Sequence, residues 1–125
     1  MTGTLRIAIA DDELDVRDYF KRMLPHLGHE VVAIATNGRE LVEMCREKKP
    51  DLIIADVRMP DLDGDAAIAE VCRESPTPFI LISAYSKPSQ MSDGCGSVNR
   101  AYLTKPMKRS DLESAIEQVR RPSAG

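Results

Sequence analysis

At 125 residues the chain has the commonest size of a single domain, with enough length for one core. Its 42% apolar and 30% charged residues argue against disorder, and a net charge of −3 gives no general drive toward nucleic acid or anionic membrane. No apolar run approaches the ~20 residues that span a bilayer, and the start, "MTGTLRIAIADDE", lacks the pattern of a signal peptide.

The first apolar run, "LRIAIA" (5–10), predicts a strand that ends on the acids Asp11 and Asp12. Val16, Phe20, Met23 and Leu27 then repeat at helical spacing, with Pro25 expected to end or bend that helix and Gly28 to close it. "EVVAIA" (30–35) predicts the second strand. The helix in "NGRELVEMCREKKP" has Leu41, Val42 and Cys45 on one face and stops before Pro50. "DLIIAD" (51–56) is the third strand, a helix follows Gly64 in "DAAIAEVCRES", and "FILIS" (79–83) is the fourth strand. The stretch "SKPSQMSDGCGSVN" (86–99) is poor in packing residues and predicts a short or frayed helix. "AYLT" (101–104) is the fifth strand. "SDLESAIEQVRR" reads as a last helix capped by Ser110, with Leu112, Ala115, Ile116 and Val119 facing inward.

Three of the five strands are near-continuously apolar, which suits parallel strands covered on both faces. Strands alternating with helices predict a doubly wound α/β domain. The expected boundaries are a domain over 1–121 and a flexible tail or linker start over 122–125. Cys45, Cys72 and Cys95 are odd in number and widely spaced, which predicts free thiols in a reducing cytoplasm, with Cys45 and Cys72 packed in the core or on a helix face. His26 and His29 flank a glycine turn and read as loop histidines without an obvious partner.

In open α/β sheets ligands gather at the carboxyl ends of the strands. Asp11, Asp12, Asp56, Ser83 and Lys105 all stand there. Either of the first two acids could instead cap the following helix, with Glu13 favoured by its dipole. Three converging carboxylates repel one another unless a cation sits among them, and a hard divalent ion such as Mg²⁺ suits oxygen ligands. Lys105 adds a second positive charge and Ser83 a hydroxyl. Two cations around one exposed carboxylate describe a site for a phosphoryl group.

With Asp11-Asp12, "DVRMPDLDG" from Asp56, Ser83-Ala84 and "YLTKP" at successive strand ends, the chain resembles the receiver domains of two-component response regulators over roughly residues 5 to 120. The resemblance implies a flavodoxin-like (βα)5 fold with strand order 2-1-3-4-5. It also implies Asp56 as phospho-acceptor, and Mg²⁺ (or Mn²⁺ as substitute) held by Asp12, Asp56 and the backbone carbonyl of Arg58, with Asp11 acting through a metal-bound water. Lys105 would pair with a phosphoryl oxygen, Ser83 would swing in to bind it, Ala84 would leave its position open, and Tyr102 would turn inward. An ordinary edge-of-core role for Tyr102 stands beside that switch role. Lys105–Pro106 is a candidate cis peptide, and Gly64 would permit a tight loop over the site. Arg58 and Tyr85 would border the mouth of the site and could hinder an attacking water.

The implied partners are a sensor histidine kinase or phosphotransfer protein, with a small acyl phosphate as alternative donor and a phosphorylation-dependent homodimer left open. No direct binding of nucleic acid or membrane is expected, and the cytoplasm is the expected location. The segment 86–98, with Tyr102 and the last helix, is the expected switch surface. The "AYS" and "RAYLTKP" stretches look most like receivers attached to RNA-binding antitermination domains. A phosphatase of the haloacid-dehalogenase type also uses a strand-end aspartate, but it needs an acid two residues on, where this chain has Arg58. A nucleotide-binding module would need a glycine-rich phosphate loop, and none occurs.

Overall fold

The computed structural model describes residues 3–84 and 98–120. Its strands are β1 (Arg6–Ala10), β2 (Glu30–Ala35), β3 (Leu52–Asp56), β4 (Phe79–Ser83) and β5 (Arg100–Thr104). They form one parallel sheet in the order β2-β1-β3-β4-β5. The described helices are α1 (Leu14–His26), α2 (Gly38–Lys48), α3 (Gly64–Glu74) and α4 (Arg109–Arg120). The expected helix in 86–99 apart from Val98 and Asn99, Tyr85, the 86–97 part of the expected switch surface and the tail over 122–125 lie outside the described residues.

Period-two alternation divides the core between the two faces of the sheet. Ile7, Ile9, Leu52, Ile54, Ile80 and Ile82 meet Phe20 and Leu24 of α1 and Leu112, Ile116 and Val119 of α4. Ala8, Ala10, Ala33, Ala35, Ile53 and Ala55 meet α2 and α3 through Leu41, Val42, Ile68 and Val71. Five alanines on that second face leave room for the helices to approach closely. Each fully buried Leu or Ile contributes about 1.5–3 kcal/mol of hydrophobic stabilisation.

Local details differ from expectation at four places. Pro25 lies inside α1, which runs one residue further to His26 before Gly28 turns at φ +92°. In the last turn, the N–H that proline lacks removes only one bond. Helix α4 begins at Arg109, so Ser110 is inside it. The Lys108 N–H instead donates to Asp111 Oδ2 at 3.0 Å, the backward half of a capping box. Cys45 is a buried free thiol whose pKa burial pushes up to about 12, but Cys72 is disulfide-bonded, which corrects the expectation of three free thiols.

His29, the fourth case, is buried and has a partner. Its Nδ1 accepts the Leu5 N–H at 3.1 Å, which joins the chain before β1 to the start of β2. Burial, helped by the charge of Arg120 and opposed by Glu117, lowers its pKa. Below the unfolded value of about 6.5 the unfolded chain therefore takes up a proton more readily than the fold. Stability held above that pH is lost as pH falls toward the folded pKa. Wild-type Tm should drop by a few degrees between pH 6.5 and 5, more steeply than in His29→Gln; parallel curves would assign no such role to His29.

Candidate functional site

Register brings the strand-end residues to one level. Ala10 pairs with Ala55, so Asp11 stands beside Asp56, the last residue of β3. Ser83 pairs with Thr104, and the next residue, Lys105, donates its backbone N–H to Ser83 O at 2.8 Å. Asp11, Asp12, Glu13 and Asp56 each place a carboxylate oxygen within 4.8 Å of the others. Asp11 and Asp56 are buried, and Asp12 and Glu13 are exposed.

One cation enters this cluster. Lys105 Nζ lies 2.9 Å from Glu13 Oε1, 3.2 Å from Asp56 Oδ2 and 3.3 Å from Asp11 Oδ2. Burial alone would lower the lysine pKa, but the three carboxylates outweigh it and hold the ammonium firmly protonated. The sequence reading gave Glu13 only a helix-dipole role and missed this contact. Its signal was the third consecutive acid at the strand end.

Neither Asp11 nor Asp12 caps α1. The N-cap is Glu13, which makes no side-chain cap bond, and Asp11 Oδ1 accepts the Glu13 N–H at 2.9 Å. Arg17 also ties α1 to this turn by donating to Asp11 O at 2.9 Å. Asp11 Oδ2 is buried without a hydrogen bond, although the lysine ammonium is near. Burial raises the Asp11 pKa first of all and the charge of Asp56 adds to this, outweighing the Glu13 N–H and Lys105.

A raised folded pKa means stability that is present below about pH 4 and lost as pH rises through the folded value. Ionised Asp11 thus works against the fold at neutral pH. Asp11→Asn keeps the acceptor for Glu13 N–H and can point its amide at Asp56. We expect it to raise Tm in metal-free buffer by about 4–8 °C, or roughly 1–2 kcal/mol. An unchanged or lower Tm would mean that the buried charge is already compensated.

The other expected residues surround this centre. Arg58 is exposed, and its N–H lies 3.4 Å from Asp56 Oδ1, a long contact. Ser83 is half-buried and Ala84 exposed on the turn after β4. Tyr102 is half-buried and packs against the core under α2 and α3. The Lys105–Pro106 peptide is cis. Gly64 shows no left-handed torsion; a Cβ there would instead run into the backbone carbonyl of Asp56. Space and not turn freedom explains this glycine. No helix among the described residues is long and apolar enough to cross a membrane.

Residues 7–117 match the family described as response regulator receiver domain. The transcriptional regulatory protein PdtaR of Mycobacterium tuberculosis is 38% identical over 112 residues, 90% of this chain and 55% of that protein. The chain thus spans about half the length of this relative. The chemotaxis protein CheY of Thermotoga maritima is 32% identical over 115 residues, 91% of this chain and 96% of CheY. Among solved structures, the signal receiver domain of NarL from Mycobacterium tuberculosis superposes with a TM-score of 0.79 at 29% identity, covering 93% of this chain and 95% of that one. With a parallel sheet of order 2-1-3-4-5 and this cluster at its carboxyl end, the chain belongs to the response regulator receiver domains of two-component signalling.

Proposed function

We propose that the chain is a phosphorylation-controlled switch whose phospho-acceptor is Asp56. The observation that carries this reading is the lysine ammonium placed between Asp56 and Asp11 at the carboxyl ends of β1, β3 and β5. A carboxylate oxygen of Asp56 attacks phosphorus. The bond to the leaving group breaks, and its electron pair stays with a histidine nitrogen of a kinase or phosphotransfer protein, or with the oxygen of a small acyl phosphate. Lys105 then pairs with a phosphoryl oxygen, and Ser83 supplies a hydroxyl beside the open space at Ala84. Tyr102 follows Ser83 inward.

The donor set fits a hard divalent cation. It is all oxygen, it carries several negative charges, and one buried oxygen of Asp11 lacks a hydrogen bond. Asp12, Asp56 and the Arg58 carbonyl would hold Mg²⁺ or Mn²⁺, with Asp11 through water; the ion supplies positive charge to the phosphoryl oxygens. Apart from taking up and losing its own phosphoryl group, the domain catalyses nothing. A groove lined by Glu13, Val16, Tyr19, Lys105 and Met107, with exposed Leu14 nearby, offers the donor protein an apolar contact beside the site. The receiver unit spans 1–121 and works in the cytoplasm, without direct contact to nucleic acid or membrane. Its output passes through a changed surface to a partner, an attached domain or a second copy.

Incubation with acetyl phosphate and Mg²⁺ tests this reading. Intact-mass measurement should show one base-labile phosphoryl group, with none when the metal is chelated. Uptake that is independent of metal, or that maps to a residue other than Asp56, would refute it.

A further inference from the structure

We infer that Glu13 is a positioning residue, a displaceable placeholder that occupies Lys105 until a phosphoryl group arrives. The inference rests on the reading of Asp56 as phospho-acceptor. An ammonium has three N–H donors. In this structure three carboxylates stand around Lys105 Nζ, and Glu13 is the nearest at 2.9 Å. Nζ donates to Glu13 Oε1 and Asp56 Oδ2, while Asp11 Oδ2 has no hydrogen bond, so a phosphoryl oxygen on Asp56 competes with Glu13 for the ammonium.

The three partners differ in their freedom to leave. The side chains of Asp11 and Asp56 are 2% and 10% exposed and stand on short stems at strand ends, whereas that of Glu13 is 61% exposed. Glu13 can swing into water at little cost, and only its longer stem bridges from the first residue outside α1 to the loop after β5. Its side chain makes no cap bond to α1 that would hold it in place when it leaves the lysine. Glu13 therefore keeps the lysine ordered at rest and competes with the phosphoryl group for it.

The test is the affinity for beryllofluoride, a phosphoryl mimic, measured by calorimetry at saturating Mg²⁺ for wild type, Glu13→Gln and Glu13→Asp. Because the position is exposed, both variants should fold. Glu13→Gln removes the charge. Glu13→Asp keeps the charge but shortens the stem by about 1.5 Å, which takes the carboxylate out of reach of Nζ. A placeholder predicts that both variants bind the mimic more tightly, by about two- to five-fold, the range set by an exposed ion pair. A gain in Glu13→Gln alone would show that Glu13 acts only as a nearby negative charge, and no gain in either would show that it does not compete; both results overturn the inference. Wild type that binds no mimic at all would instead overturn the reading of the site, and this inference with it.

Discussion

Asp56→Asn should abolish phosphoryl uptake from acetyl phosphate, with a rate at least about a hundred-fold below wild type, because an amide oxygen is a poor nucleophile and cannot end as an acyl phosphate. The substitution is nearly isosteric at a buried position. It removes one of two neighbouring buried carboxylates, which lessens their mutual repulsion, and it leaves Lys105 paired with Glu13 and Asp11. The variant should therefore stay folded, so loss of uptake reports on chemistry and not on collapse. Circular dichroism checks the fold and intact mass checks the uptake. An Asp56→Asn protein that gains the phosphoryl mass at a rate near wild type would remove Asp56 from the role.

The second large effect is expected at Gly64. A methyl group there meets Asp56 O and Asp56 C, and both belong to the backbone of the central strand. Strand β3 is held on both sides by β1 and β4, and the Gly64 N–H donates to Val57 O at 2.8 Å. Nothing on that side can yield as a flexible side chain would. Gly64→Ala should cost roughly 2–4 kcal/mol and lower Tm by about 10 °C or more. Because the clash falls on Asp56, the proposed phospho-acceptor, the surviving folded fraction should also take up a phosphoryl group more slowly. A Tm within about 2 °C of wild type would show that α3 can pull back from the sheet.

The strands were legible because near-continuous apolar runs such as "DLIIAD" have one buried solution, and their acidic or basic ends marked where the site would form. Asp11, Asp56 and Lys105 could be placed together from topology alone. Glu13 could not. The direction of an N-cap side chain depends on the turn that precedes the helix, and three acids in a row give no hint that the third also reaches the lysine. Gly64 was noticed for the wrong reason, since a sequence shows that a Cβ is missing but not whether torsion or space requires it. The His29–Leu5 bond joins residues 24 apart through a donor that every residue has, so no pattern announces it. Likewise the start of α4 turned on the competition between Ser110 and Asp111 as capping groups, which local composition does not decide.

The loop after Asp56 touches backbone at two places where no side chain would fit. Leu62 O sits where a Cβ on Gly38 would be, and Gly64 abuts Asp56 O. Just before Leu62, Asp61 turns at φ +68°, and the Leu62 N–H closes on Pro60 O at 2.7 Å. Yet Pro60, Asp61 and Asp63 present their side chains to solvent. The course of this loop is thus fixed while its chemistry is open. A relative or an engineered variant can rewrite the charge of this rim, and with it the fit to the proposed phosphoryl donor, one exposed residue at a time, but inserting a single residue would tear the rim from both anchors.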